Sequence, residues 1–240
     1  MYRIKNSNEL ANYIEYANLN NLATEEEMKE FLKNTEEYDF YGITINPRFV
    51  KLACDQLKDK NINISTVISF PLGFDTTESK VAQAKIAIKE GANEVAMVAN
   101  LSDIKEGNYT AIEEEIKMVK EAIDNNTLKI IIESKALEDE EKIKVAQAIE
   151  NAGADYIETA TGFVSPNTIY EDVNTINIIQ KYAPKLKIKV TGGVHQYKIA
   201  NQLLTAGADL IGSSEGYTIV KDYHDLRENT KITPKPIKFD

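Results

Sequence analysis

Three times in this chain a glycine, an alanine and an Asn or Asp follow one another, at Gly91-Ala92-Asn93, Gly153-Ala154-Asp155 and Gly207-Ala208-Asp209. Each triplet stands between a stretch of helical periodicity and a short apolar run. The recurrence marks the joint of a repeating helix-to-strand unit, and a chain built from such units is confined to the α/β class.

The rest of the sequence fits the same alternation. A first apolar segment, Tyr13 to Ala17 within 12–18, precedes Thr24 and Glu27, which form a capping box opening a helix. Asp39 to Ile45 reads as a strand closed by Pro47, with Phe49, Leu52, Ala53 and Leu57 at helical spacing behind it. Asn63 to Phe70 is β-branched, and Val81, Ala84 and Ile88 share a helix face after the loop at 71–75. Glu94 to Asn100 is the next strand, followed by a loop holding Gly107 and a helix carrying Ile112, Ile116, Val119 and Ile123. Leu128 to Glu133 is a strand, and Val145, Ala148, Ile149 and Ala152 lie on one helix face. The strand at Tyr156 runs into Thr159-Ala160-Thr161-Gly162-Phe163, and Thr168 with Glu171 opens a helix carrying Val173, Ile176 and Ile179. Lys187 to Thr191 and Asp209 to Gly212 are the last strands, separated by Ile199, Leu203 and Ala206.

Eight such units, joined by right-handed crossovers, close into a (β/α)8 TIM barrel. An open dinucleotide-binding sheet is the rival, but no G-x-G-x-x-G turn follows the first strand. The expectation is one barrel domain over residues 1–240, with 230–240 a peripheral tail.

Composition narrows the partners. With 28 basic and 38 acidic residues the net charge is −10, which argues against nucleic acid and anionic membranes. Neither a signal-peptide core nor a membrane-length apolar span is present, so a cytoplasmic location is expected. The single cysteine, Cys54, sits in a helical pattern and reads as a packed residue.

In barrels of this kind the loops after the strands carry the site, and anions settle on the loops after strands seven and eight. Those loops are Gly192-Gly193 and Gly212-Ser213-Ser214, where close backbone approach, amide groups and hydroxyls suit a phosphate. Lys129, Glu158 and Lys189, from the fifth, sixth and seventh strands, alternate with apolar neighbours and should point into the barrel together, with Glu133 on the same face. Charges at adjacent strands of an interior otherwise filled by branched apolar residues suggest a site. His195 reads as a helix-start residue near the ligand. The two histidines, His195 and His224, make no cluster for a catalytic metal, and no metal or cofactor is expected. Neither a G-x-S-x-G elbow nor a G-x-x-x-x-G-K-[ST] loop occurs.

At these residues the chain resembles the deoxyribose-phosphate aldolase family over nearly its whole length. The stretches that carry the likeness are 45–47, 66–73, 129–133, 159–163, 189–194 and 211–214. The resemblance implies an aldolase-like barrel of class I, which cleaves 2-deoxyribose 5-phosphate to glyceraldehyde 3-phosphate and acetaldehyde through a lysine imine. It implies a small phosphorylated sugar or aldehyde as partner, bound at Thr161, Gly162, Gly192, Gly193, Gly212, Ser213 and Ser214, and a homodimer as the assembly to test.

The departures fall on the chemistry. Where the family carries its imine-forming lysine this sequence has Glu158, and Ala96 stands where the family has an aspartate that helps proton transfer. The family's second lysine is kept as Lys189, while Glu15-Tyr16, Thr44 and His195 replace an Asp-His pair, a cysteine and an arginine. Two adjacent lysines lower each other's pKa; a carboxylate beside one of them reverses that effect. Strands lie about 4.8 Å apart, so Glu158 and Lys189 are expected to pair. Aldolase activity is therefore expected to be weak or absent. The alternatives are a silent sugar-phosphate-binding or protein-interaction barrel, and a different lyase or isomerase using Lys189, Glu158 and Lys129.

Overall fold

The computed structural model describes residues 4–164 and 168–230, the side chains of 228–230 excepted. Eight parallel strands close in sequence order into one barrel, β8 pairing back on β1. The first half runs α1 (Ser7–Ala11), β1 (Ile14–Asn18), α2 (Glu25–Asn34), β2 (Gly42–Ile45), α3 (Val50–Leu57), β3 (Asn63–Ile68), α4 (Thr77–Lys89) and β4 (Glu94–Val98). The second half runs α5 (Leu101–Glu106), α6 (Tyr109–Ala122), β5 (Thr127–Ile131), α7 (Asp139–Asn151), β6 (Tyr156–Glu158), α8 (Ile169–Tyr182), β7 (Lys187–Val190), α9 (Tyr197–Ala206), β8 (Leu210–Ser213) and α10 (Gly216–Thr230). Single 3-10 turns occupy Pro47–Phe49 and Ser134–Ala136.

The Gly-Ala-[Asn/Asp] triplets prove to be clamps between neighbouring strands. Their glycines take the left-handed conformation that ends the helix, with φ of 109° at Gly91, 81° at Gly153 and 112° at Gly207. The third residue then accepts the amide hydrogen that opens the adjacent strand. Ile64 N donates to Asn93 Oδ1 at 2.7 Å, Leu128 N to Asp155 Oδ2 at 2.8 Å, and Ile188 N to Asp209 Oδ2 at 2.8 Å. Each clamp is completed in the other direction by a backbone bond, such as Asp155 N to Leu128 O at 3.0 Å. The starts of β3, β5 and β7 are thus fixed against β4, β6 and β8, at the end of the barrel opposite the loops expected to carry function.

Several element ends differ from the periodicity reading, each for a local reason. The strand expected to reach Phe70 stops at Ile68, because Ser69 turns left-handed (φ 50°). The strand expected to reach Glu133 stops at Ile131, with Glu133 itself at φ 46°. The segment read as a loop before Gly107 contains α5, capped by the Asn100 side chain, which accepts from Ser102 N. Both capping boxes are present, at Thr24 with Glu27 and at Thr168 with Glu171. On α4 the buried face is Lys80, Ala84 and Ala87, with Val81 and Ile88 only partly buried. Lys80 can be interior because its ammonium meets Glu115 of α6 at 2.7 Å and Val98 O at 3.1 Å. Cys54 packs partly buried against the core, its Sγ 2.7 Å from where a Cβ on Gly91 would lie. The tail expected at 230–240 lies outside the described residues, except for Thr230, which ends α10. Among the described residues no helix is long and apolar enough to cross a membrane.

Candidate active site

A cavity of about 400 Å³ opens at the C-terminal ends of the strands. Every position expected to hold phosphate, from Thr161 and Gly162 through Gly192, Gly193 and Gly212 to Ser213 and Ser214, lines it, as do Glu158 and Lys189. The charged and apolar sides are segregated. Val67, Ala96, Val98 and Ile131 of β3, β4 and β5 form a small buried cluster with Leu19 and Phe70 against it, and Val67, Ile131, Leu19 and Phe70 reach the cavity wall. Phe70 and Phe163, from the loops after β3 and β6, meet edge to face at 5.2 Å and both border the cavity.

The ionic side follows from strand register. Glu158 on β6 is paired with Lys189 on β7, and its other neighbour is Ile131 on β5. Their side chains enter the barrel together, and Lys189 Nζ lies 3.1 Å from Glu158 Oε1. Lys129 pairs with Tyr156, two residues earlier on β6, which places it about 6–7 Å deeper along the strand direction. It is fully buried and does not reach the cavity. Lys129 and Lys189 are instead joined through Glu15 of β1. Lys189 Nζ donates to Glu15 Oε1 at 2.8 Å, and Lys129 forms a close ion pair with Glu15 Oε2. Thr44 Oγ1 donates to Glu15 as well. Beneath this, Lys129 Nζ sits 2.5 Å from Glu94 Oε2, Glu94 Oε1 accepts from Tyr41 OH at 2.7 Å, and the rings of Tyr41 and Tyr156 lie under the ammonium.

The ladder therefore interleaves three carboxylates, Glu158, Glu15 and Glu94, with two ammoniums. Burial opposes the charge on Glu15, yet Lys129 and Lys189 outweigh it and hold the carboxyl down to about 2. Burial works against the Lys129 ammonium too, but Glu15 and Glu94 prevail and hold its pKa above the ordinary lysine value. Glu158 differs. Burial pushes its pKa up, Lys189 only partly opposes this, and the charge on Glu15 adds to the rise. Its Oε2 is buried without a hydrogen-bond partner.

The glycine loops are held by side chains rather than left slack. Thr191 Oγ1 donates to Ala160 O at 2.5 Å and accepts from Ala160 N at 3.2 Å, while Thr159 Oγ1 accepts from Thr191 N at 3.0 Å. Ser213 Oγ donates to Val194 O at 2.5 Å, tying the loops after β7 and β8 together. Its hydroxyl proton is thereby committed, whereas Ser214 is exposed. A Cβ on Gly212 would come within 2.8 Å of Lys189 Cε, so glycine there gives the lysine its channel. Gly193, at φ 78°, holds a conformation that side chains rarely adopt.

Glu133, expected beside Lys129, lies off the cavity wall and accepts from Thr161 N, supporting the loop after β6 from behind. His195 borders the cavity at an exposed position two residues before α9. Glu15 is the residue that sequence reasoning passed over as a mere departure from pattern. A usable signal existed, since its two lateral neighbours, Gly42 and Gly212, are both glycine. Among the described residues no group of three or more His, Cys, Asp or Glu is arranged to hold a metal ion.

The profile of the DeoC/LacD family aldolase matches residues 6–221. A deoxyribose-phosphate aldolase of Clostridium botulinum is 38% identical over 212 residues, covering 88% of this chain and 99% of the relative. One of Aciduliprofundum boonei is 39% identical over 215 residues, covering 89% and 96%. A solved aldolase structure superposes with a TM-score of 0.85 at 34% identity, covering 93% of this chain and 99% of the other.

Proposed function

The chain belongs to the DeoC/LacD family of aldolases, and from that premise we propose that it binds a small phosphorylated sugar or aldehyde while forming little or no lysine imine. The observation that carries this reading is the setting of Lys189, whose ammonium lies between Glu15 Oε1 at 2.8 Å and Glu158 Oε1 at 3.1 Å. An imine needs a neutral amine at the carbonyl carbon, whereas this nitrogen is engaged by two carboxylates, one on each side. Glu158 stands where the family carries its nucleophilic lysine and offers no amine of its own. Lys129 is paired with Glu15 and Glu94 below the cavity floor, out of a ligand's reach.

The phosphate end of the ligand is assigned to the loops at 192–193 and 212–214, with Thr161 and Gly162 completing the cradle. These residues line the cavity, and α10 begins at Gly216, two residues after Ser214. Two of the relatives bear the name deoxyribose-phosphate aldolase, which supports a ligand of that class here.

A second reading is a lyase or isomerase that moves protons through Glu158. It is favoured by the placement of this buried carboxyl on the cavity wall beside Lys189, where burial raises its pKa in the direction that a proton-transfer group requires. Lys189 would then act as the adjacent hydrogen-bond donor.

Borohydride reduction with acetaldehyde, followed by peptide mass spectrometry, tests the first reading. The wild-type chain should remain unlabelled under conditions where deoxyribose 5-phosphate binds by calorimetry. Rapid stoichiometric labelling of Lys189 would overturn it. Deuterium uptake from D2O into bound deoxyribose 5-phosphate, lost in Glu158→Gln, would select the second reading.

A further inference from the structure

We propose that the ligand of this cavity is a phosphate ester that carries a primary amine, bound with its ammonium on Glu158 and its phosphate on the glycine loops. The inference rests on the phosphate-binding reading above and specifies the other end of the molecule.

Formal charge in the barrel interior does not balance. Among the described residues, Glu94, Glu15 and Glu158 contact two ammoniums, Lys129 and Lys189. Lys129 is shared by Glu94 and Glu15, and Lys189 by Glu15 and Glu158. One carboxylate is left in excess, and the ladder's geometry decides which one. Glu15 has a lysine on each oxygen and Thr44 besides, and Glu94 has Lys129 and Tyr41. Glu158 has half of Lys189 and nothing on Oε2. It is also the member of the three that lines the cavity, and among the lining residues the only carboxylate. Rotation about its terminal torsion, which is soft and two-fold, lets either oxygen face inward.

The surroundings favour a cation over a neutral donor. Beside Glu158 stands Ile131, and Val67 and Phe70 continue the apolar wall. Among the described lining residues the hydroxyl on that side is that of Thr44, and it donates to Glu15. A buried carboxylate in such a setting is stabilised far more by a charged donor than by a hydroxyl, because charge-assisted hydrogen bonds gain strength when desolvated. The glycine loops across the cavity add no carboxylate that would compete for the ammonium. A ligand of this kind restores the charge balance of the ladder that the chain leaves incomplete.

Calorimetric titration of the full chain at pH 7 with a homologous series of short ω-aminoalkyl phosphates, each against the ω-hydroxyalkyl phosphate of the same length, tests the proposal. At the length that spans the cavity the amine should bind about tenfold or more tightly than its hydroxyl twin, and the preference should fall to near unity in Glu158→Gln. Equal binding of the twins at every length overturns it, as does a preference that survives in folded Glu158→Gln. The wild-type comparison stands alone if that variant does not fold. Inorganic phosphate and Gly193→Asp report on the phosphate end separately. If inorganic phosphate binds and no amine is preferred, the amine proposal fails while the phosphate reading stands. If inorganic phosphate fails to bind, the phosphate reading fails and takes this proposal with it.

Discussion

Replacing Glu15 by glutamine removes the carboxylate on which both interior lysines depend, and the cost can be worked from the structure. The carboxyl titrates at about 2 in the folded chain against 4.5 for the ordinary side chain. At about 1.4 kcal/mol per pH unit, that difference corresponds to about 3 kcal/mol of stability. Breaking a buried ion pair by removing one partner costs about 3–5 kcal/mol by a separate line of reasoning. Loss of the Glu15 charge also relieves Glu158, whose pKa that charge helps to raise, so part of the deficit is recovered there. Urea unfolding at pH 7 should therefore show Glu15→Gln destabilised by about 3 kcal/mol or slightly less, with Tm lower by about 6–12 °C for a chain of this size. The sign of the pH dependence is fixed as well. Because the folded pKa is depressed, the contribution is complete above about 4.5 and declines as pH falls toward about 2, where wild-type Glu15 is itself protonated. The gap between wild type and variant should thus narrow over that window. A loss under about 1 kcal/mol at pH 7, or a gap unchanged down to pH 3, would refute the account of Glu15 as the hub.

Gly193→Asp should abolish binding of inorganic phosphate and of phosphate esters in calorimetry with circular dichroism unchanged, since it places a carboxylate where an anion is proposed and strains a residue at φ 78°. Lys80→Met should cost about 3–5 kcal/mol by leaving Glu115 buried and unpaired, whereas Lys80→Met with Glu115→Leu should recover most of that loss in the same unfolding assay. Glu158→Lys with Ala96→Asp should give measurable retro-aldol turnover of deoxyribose 5-phosphate and a reducible imine on residue 158. The new aspartate would face Lys129 directly across β4 and β5, and the new lysine would lie beside Lys189. A stable, folded double variant with neither label nor turnover would show that these two substitutions do not suffice for imine chemistry in this barrel.

The strand–helix alternation was legible because its punctuation is chemical as well as periodic. A glycine that must turn left-handed, followed by an Asn or Asp able to take a backbone amide, leaves a trace in one sequence without any comparison. The same holds for the capping boxes, where two residues three apart satisfy each other's backbone groups. The short helices α1 and α5 escaped because five or six residues do not establish a period. Lys80 escaped for a different reason. A lysine on a helix reads as solvent-facing until its partner, 35 residues later on another helix, is known to lie 2.7 Å away.

The candidate site divides along the same line between neighbouring and closing contacts. Glu158 and Lys189 could be paired from sequence because β6 and β7 are consecutive, so alternation alone sends both side chains inward at one level. Glu15 meets Lys189 across 174 positions of chain, and that contact exists only because β1 and β8 seal the barrel. The stagger of strands around a closed barrel likewise places Lys129 below Glu158 rather than beside it, which no reading of single strands can supply. This bears on how Glu158 is to be understood. Considered alone it is one more interior charge; within the closed ladder it is the terminal, under-neutralised carboxylate of a chain of alternating charges. A lysine at that position would reverse the balance, setting three ammoniums against Glu15 and Glu94, and mutual repulsion would favour releasing a proton from one of the two at the cavity. The identity of residue 158 thus sets the protonation tendency of the whole interior, and with it whether the cavity presents an amine to a carbonyl or a carboxylate to a donor.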